Sequence, residues 1–313
     1  MSGLREAMEE YLAIRRSLGF KLVAVGTDLR KFVTFAEQEG ATHITVDLAV
    51  RWAEQPANAQ PATLAARLRT VRRFAIWRSA TDPRTEVPPE GIFPQRYRRK
   101  PPYIYSNEEI QKVVEAGRAL PCSTGLRGWT YSTIFGLISV TGMRVGETVA
   151  LDREQVDLHE GIIFIHRAKF GKSRLVPVHE STCEVLAEYA RERDQIFPSP
   201  SSPAFFVSRG GTRVTACGIQ YNFARVSGQI GLRPPLKNCR HGRGPRLHDM
   251  RHRFAVLTLL DWYRAGIDVE REIPKLAAYL GHVHVNETYW YIEAVPELLE
   301  LASRRLIQTA QEV

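Results

Sequence analysis

Two arginines, two histidines and a tyrosine in this chain have the types and spacing needed to attack a phosphodiester. Leu247-His248-Asp249-Met250-Arg251-His252 is followed by Leu280-Gly281-His282 and then by Tyr291, while Thr141-Gly142-Met143-Arg144 lies far upstream. On a helix His248 and Arg251 stand at i and i+3, so both side chains leave one face and can converge on one phosphate. At about 100° per residue, an unbroken helix would set His282 and Tyr291 on opposite sides. Gly281, however, reads as the stop of an apolar helix, which leaves His282 in a turn and Tyr291 on the next short helix, where the two can meet.

Breaking a phosphodiester without a metal requires a nucleophile, positive charge on the non-bridging oxygens and a proton for the departing alkoxide. Arginine holds phosphate well because its planar fork donates twice and stays charged, so Arg144 and Arg251 are the candidate clamp. Tyrosine, with an unperturbed pKa of about 10, needs a nearby cation or base to lose its proton as it attacks. His248 and His282 can fill that role. Tyr289 stands about 200° round a helix from Tyr291 and is the lesser candidate for nucleophile. Glu147 and Asp249 read as residues that order their neighbours, Trp290 as packing, and His252 and His284 as structural or incidental.

The elements that must position these groups follow from periodicity. Apolar residues at helical spacing (Leu4, Met8, Tyr11, Leu12; then Leu29, Phe32, Val33, Ala36) predict short helices ending at Gly19 and Gly40, and Thr45 reads as the cap of a third. A fourth, about 63–78, carries Leu64, Leu68, Val71 and Ala75 on one stripe and Arg69, Arg72 and Arg73 on a neighbouring face suited to a DNA backbone. Prolines then crowd residues 81–102 around Arg96, Arg98, Arg99 and Lys100, which reads as a basic, semi-extended linker. Ser106 and Glu109 form a capping box that opens a second domain. Within it, residues 131–140 read as an apolar helix, 161–165 as a strand, 169–172 as a hairpin turn returning through 174–178, and the remainder as mostly helix. The expected organisation is a helical DNA-binding domain over 1–86, a linker over 87–103 and a catalytic domain over 104–313.

The composition suits a polyanionic partner. The chain has 313 residues, 44% of them hydrophobic, with a net charge of +9, which also fits a membrane surface by charge alone. No apolar run of about 18 residues or more and no signal-peptide layout are present, so a cytoplasmic protein is expected. Cys122, Cys183, Cys217 and Cys239 are scattered without a C-x-x-C pair and read as free thiols; Cys239-Arg240-His241 alone is a poor metal motif.

Taken in order, these motifs resemble the tyrosine recombinases of the phage integrase family. The resemblance rests on Thr141-Gly142-Met143-Arg144-Val145-Gly146-Glu147, His248-Asp249-Met250-Arg251, Leu280-Gly281-His282 and Thr288-Tyr289-Trp290-Tyr291, and spans nearly the whole chain. It implies a mostly α fold with a small antiparallel sheet (α+β): an α-helical core-binding domain and a catalytic domain that form a clamp round duplex DNA. It further implies that Arg144 and Arg251 hold the scissile phosphate, His248 acts as general acid/base, His282 donates to a phosphate oxygen and Tyr291 forms a 3′-phosphotyrosyl bond. Aligning Lys172-Ser173-Arg174-Leu175-Val176-Pro177 with the family's hairpin makes Lys169 the lysine that protonates the 5′-oxygen, with Lys172 as runner-up and otherwise a DNA contact. No cofactor or metal is implied; the expected partners are DNA recombination sites, a homodimer on each site and a homotetramer in the synapse, with other recombinases or accessory proteins as further candidates.

Two departures from the family pattern are visible, a long interval between Arg251 and His282 and a basic stretch at 237–241. The apolar tail with Leu298, Leu299, Leu301, Leu306 and Ile307 reads either as a helix docking on a neighbouring subunit or as one packed on its own domain. Two other functions remain open: DNA relaxation of the type IB topoisomerase kind, and a catalytically silent DNA-binding protein of the same fold.

Overall fold

The computed structural model describes residues 3–94, 101–123, 125–166, 173–234 and 244–311, with side chains to residue 305. It divides into two compact units, Met1–Lys100 and Pro101–Val313.

The first unit is four helices: α1 (Leu4–Ser17), α2 (Val23–Gln38), α3 (Val46–Glu54) and α4 (Pro61–Ser79). Thr45 caps α3 by accepting from the Leu48 amide at 3.1 Å, and Pro61 starts α4 where its missing N–H costs nothing. Met8, Leu12, Phe32, Trp52, Val71 and Phe74 meet in the core, all almost wholly buried. The first part of the segment read as a semi-extended linker over 87–103 belongs to this unit. Val87 and Phe93 pack on this core, the Glu86 amide donates to the Ile44 carbonyl at 2.8 Å, and the Glu86 carboxylate accepts from the Val46 amide. Proline fixes these residues in extended backbone, but it does not prevent the apolar side chains between from finding a core.

The second unit opens with α5 (Asn107–Arg118), held by the Ser106–Glu109 capping box. Helix α6 (Leu126–Thr141) is apolar nearly all round and runs through the centre, touching α5, α8 (Glu180–Ile196), α9 (Ala216–Gln229) and α10 (Leu247–Arg264). After α7 (Val145–Ala150), strands β1 (Val156–Asp157), β2 (Ile162–Ile165) and β3 (Arg174–Pro177) form an antiparallel sheet in chain order, with Ile163 opposite both Val156 and Val176. β1, only two residues long, is too short to leave a periodic signal in the sequence. Helices α11 (Val269–Leu280), α12 (Asn286–Ala294) and α13 (Pro296–Gln311) complete the chain. They close a second cluster with α10, in which Leu259, Ile273, Leu280, Tyr291 and Leu298 are buried. The start of α13 thus packs on its own domain through Leu298 and a 2.7 Å Arg264–Glu297 ion pair, while Leu299 faces solvent. The fold is mostly helical with one small sheet.

The crossing of α5 and α6 depends on a missing side chain. A Cβ on Gly128 would lie 2.2 Å from the backbone oxygen of Arg118. Gly128→Ala is therefore expected to cost about 3 kcal/mol or more in urea unfolding. Gly136→Ala, two turns further along α6 with its nearest contact at 3.9 Å, should be neutral or stabilise by up to about 1 kcal/mol.

Candidate active site

The second unit gathers most of the sequence-selected residues at the ends of α6 and α11. Helix C-termini leave carbonyl oxygens without intrahelical partners and carry partial negative charge. Arg251, on α10 and 1% exposed, fills that role for both helices: its guanidinium donates to Gly142 O at 2.7 Å and Leu280 O at 2.6 Å. Arg144, the residue before α7, donates to Gly281 O at 3.0 Å and to Glu147 at 2.9 Å. Gly281 adopts a left-handed φ of 66° to end α11, and a Cβ there would press within 2.9 Å of Arg174. Only glycine allows both the turn and the approach of the arginines.

Glu147 is the carboxylate that organises this cluster. It accepts from Arg144 and, at 2.9 and 2.8 Å, from both terminal nitrogens of Arg174 on β3. Burial pushes its carboxyl pKa up, and the bonds and charges of Arg174 and Arg144 overcome this and bring it down to about 2. Two guanidiniums thus bind one carboxylate and Arg251 adds a third nearby, a surplus of positive charge that suits an anion. Burial, reinforced by Arg144, lowers the Arg251 pKa to about 10, which still leaves it charged at neutral pH.

Tyr291 reaches the same place from α12 and is 2% exposed. Its hydroxyl lies 3.1 Å from Nδ1 of His252, and its ring stacks at 6.3 Å on His282. His282 sits in the turn after Gly281, where its Nδ1 is 2.7 Å from the Thr288 hydroxyl. His248 and His252, one turn apart on α10, meet edge to face at 4.7 Å. His248 is an exposed residue, yet desolvation by its neighbours, with the Arg251 charge adding to it, presses its pKa to about 4. Burial likewise takes His252 to about 4 and His282 to about 3, helped respectively by His248 and by Arg251. Asp249 caps α10 and pairs with Arg246 at 2.8 Å. Tyr289 points to solvent, 39% exposed.

Arg144, His248, Arg251, His282 and Tyr291 are therefore brought together, whereas other selected residues are not seen there. Lys169, Lys172, Arg96, Arg98, Arg99 and Lys100 lie outside the described residues, as does the basic stretch 237–241. On α4, Arg69 and Arg73 are exposed, but Arg72 is turned back onto its own unit, donating to Pro88 O and pairing with Glu90 at 3.3 Å. His252 was read as structural or incidental, and the structure places it on the tyrosine hydroxyl. Its position four residues after His248, on the same helical face, was the available signal. Arg174, read only as part of a hairpin, and Thr288 also belong to the site.

A model of the phage integrase family matches residues 106–297, well over half of the chain. The chain belongs to the phage integrase family. It is thus a tyrosine recombinase, and all five residues gathered above lie in the matched span. Over 310 residues it is 47% identical to y4rB of Sinorhizobium fredii, a proposed integrase/recombinase, covering 98% of each chain. Among solved structures it is similar to the XerH site-specific recombinase bound to palindromic difH substrate in a post-cleavage complex, with TM-score 0.63 and 18% identity, covering 89% of this chain and 77% of that one. It is similar also to a lambda integrase tetramer bound to a Holliday junction, with TM-score 0.62 and 17% identity, covering 92% and 79%. No helix among the described residues is long and apolar enough to cross a membrane.

The recombinase's buried titratable groups set an expected acid sensitivity. Histidines whose folded pKa lies below the unfolded value of about 6.5 let the unfolded chain bind protons first, so stability falls as pH drops below about 6.5. Glu147, also depressed, contributes stability above about 4.5 that is lost as pH falls through 2. Both effects have the same sign. Urea unfolding at about pH 5 should show on the order of 2 to 4 kcal/mol less stability than at about pH 7.5, most of it from His252 and His282. Equal stability at the two pH values would contradict their burial as neutral rings.

Proposed function

We propose that this chain cuts and rejoins DNA strands at specific sites through a 3′-phosphotyrosyl intermediate, with Tyr291 as nucleophile. The observation that carries the reading is the position of Tyr291, buried beside His282 with its hydroxyl on an imidazole and the arginine cluster adjoining it. Arg144 and Arg251 hold the scissile phosphate, His282 donates to one of its oxygens and His248 acts as general acid/base. As Tyr291 Oη bonds to phosphorus the P–O5′ bond breaks, and O5′ takes its proton from Lys169. The phosphotyrosyl ester remains activated, so a second 5′-hydroxyl reseals it without ATP. Guanidinium charge takes the part that magnesium plays in other phosphoryl-transfer sites, and the reading therefore calls for no metal or cofactor.

The helical unit, 1–86 in this reading, serves as a core-binding domain. Arg69 and Arg73 contact the DNA backbone, together with Arg96, Arg98, Arg99 and Lys100 of the basic segment and Lys172 of the catalytic domain. The tetramer formed by lambda integrase on a junction supports a homodimer on each site and a homotetramer in the synapse. Similarity to y4rB, a proposed integrase/recombinase, supports a role in recombination; in this reading the task is integration, excision, transposition or replicon resolution in a bacterial cytoplasm.

The test is covalent capture on nicked suicide duplexes tiled across the DNA flanking the protein's own gene, read on a denaturing gel. A protein–DNA adduct on one duplex supports the reading. Binding with no adduct on any duplex overturns it in favour of a silent DNA-binding protein. Relaxation of supercoiled DNA without exchange of strands points instead to topoisomerase-like action.

A further inference from the structure

We propose that His252 is a further catalytic residue, the base that receives the Tyr291 phenol proton when the tyrosine attacks. This rests on the phosphotyrosyl reading above and moves the tyrosine's proton to His252, leaving His248 as general acid/base beside Lys169 on the leaving-group side.

Geometry supports the assignment from several sides. Nδ1 of His252 lies 3.1 Å from the Tyr291 hydroxyl, within reach for direct proton transfer. The pair is formed between α10 and α12, and the imidazole is locked there between His248 at 4.7 Å and Trp290 at 5.4 Å, both edge to face. A buried phenol needs an acceptor for its proton, and an imidazole in its Nε2–H form offers Nδ1 as a lone pair. Among the described residues, the charged and titratable groups that face His252 are Arg246 just before α10, His248, Asp249 and Arg251 on it, Tyr291 on α12 and His282 in the turn before that helix. Burial among them keeps the ring neutral at physiological pH, so it stands ready as a base.

The step balances without a further reactant. The Tyr291 proton moves to Nδ1, Oη bonds to phosphorus, and the P–O5′ bond breaks with O5′ protonated by the general acid. On resealing, a 5′-hydroxyl attacks, its proton passes to the general acid, and His252 returns its own proton to the departing phenolate. Base and acid thus act on opposite sides of the phosphorus, and a leaving group that needs no proton separates them.

The experiment compares wild type, His252→Ala, His252→Asn and Lys169→Ala on the nicked duplex that captures wild type, with a normal 5′-oxygen or a 5′-bridging sulfur at the cleaved phosphate. His252→Ala should slow adduct formation about 10²- to 10³-fold on the oxygen substrate. Sulfur should restore Lys169→Ala and leave His252→Ala slow, because the tyrosine still has a proton to lose. His252→Asn keeps an acceptor near the Nδ1 position but no base, and should stay slow while folding as wild type does by thermal unfolding. Raising pH from about 7 to about 9 should speed His252→Ala and His252→Asn nearly tenfold per unit, as hydroxide takes over from the base, while wild type stays flat. Wild-type rates in both His252 variants, rescue of either by sulfur, or a flat pH profile in both would overturn the proposal. Failure to find any duplex that captures wild type would instead remove the phosphotyrosyl reading on which it rests.

Discussion

Tyr291→Phe is expected to abolish covalent capture of DNA, by at least about 10⁴-fold, with little change in DNA affinity. The substitution removes one oxygen, and in this reading that oxygen is the atom that bonds to phosphorus. What remains is favourable for a clean comparison. The ring keeps its place in the buried cluster of α10, α11 and α12 and its stacking on His282. The hydroxyl's bond to His252 is lost, and His252 can keep its place against His248 and Trp290, so the stability cost should be about 1 kcal/mol. Capture by the Phe variant at any rate close to wild type would move the nucleophile elsewhere, and Tyr289 is the residue to test next. Its exposed side chain lies on the same short helix but outside the cluster, so an adduct through Tyr289 would require α12 to rotate or unwind.

What the sequence disclosed about this site follows the range of the interactions involved. Local rules were readable. Ser106 and Glu109 announce α5, Thr45 announces α3, Gly281 ends α11, and the branched residues of 162–165 form a strand. His248 and Arg251 share a helix face by arithmetic alone. The contacts that were not readable join segments far apart in the chain. His252 becomes significant because α12 is laid across α10; its spacing from His248 put it on the same helix face but gave no sign of the tyrosine. Arg174 alternates correctly for a strand, and nothing near it in sequence announces the Glu147 carboxylate to which it is bound. The inward turn of Arg72 depends on Pro88 and Glu90, residues placed by a proline-rich segment that periodicity does not describe. Charge patterning identified a basic face on α4, but could not tell which arginine on it was already committed to its own fold.

Arg251 is where fold and chemistry depend most heavily on one side chain, and its substitution should show both losses. Arg251→Ala leaves Gly142 O and Leu280 O, at the ends of α6 and α11, without their buried donor, and opens a cavity where the guanidinium was. Relief of its repulsion with Arg144 offsets part of this, so a net loss of about 3 kcal/mol is expected in urea unfolding. Covalent capture should fall at least about 10³-fold, since a phosphate clamp acts on charge that develops in the transition state. Arg251→Lys discriminates between charge and geometry. A lysine presents its donors from one point and cannot span two carbonyls on separate helices while also holding a phosphate. The same burial and the same Arg144 that lower the guanidinium would lower an ammonium there too, and a lysine starts from a lower value, about 10.4 against 12.5. Residual capture by the Lys variant should therefore decline as pH rises from about 7 to about 9, opposite in direction to the His252 variants. A Lys variant with wild-type capture and a flat profile would mean that the fork geometry of Arg251 contributes nothing to the reaction and that its bonds to the helix ends serve the fold alone.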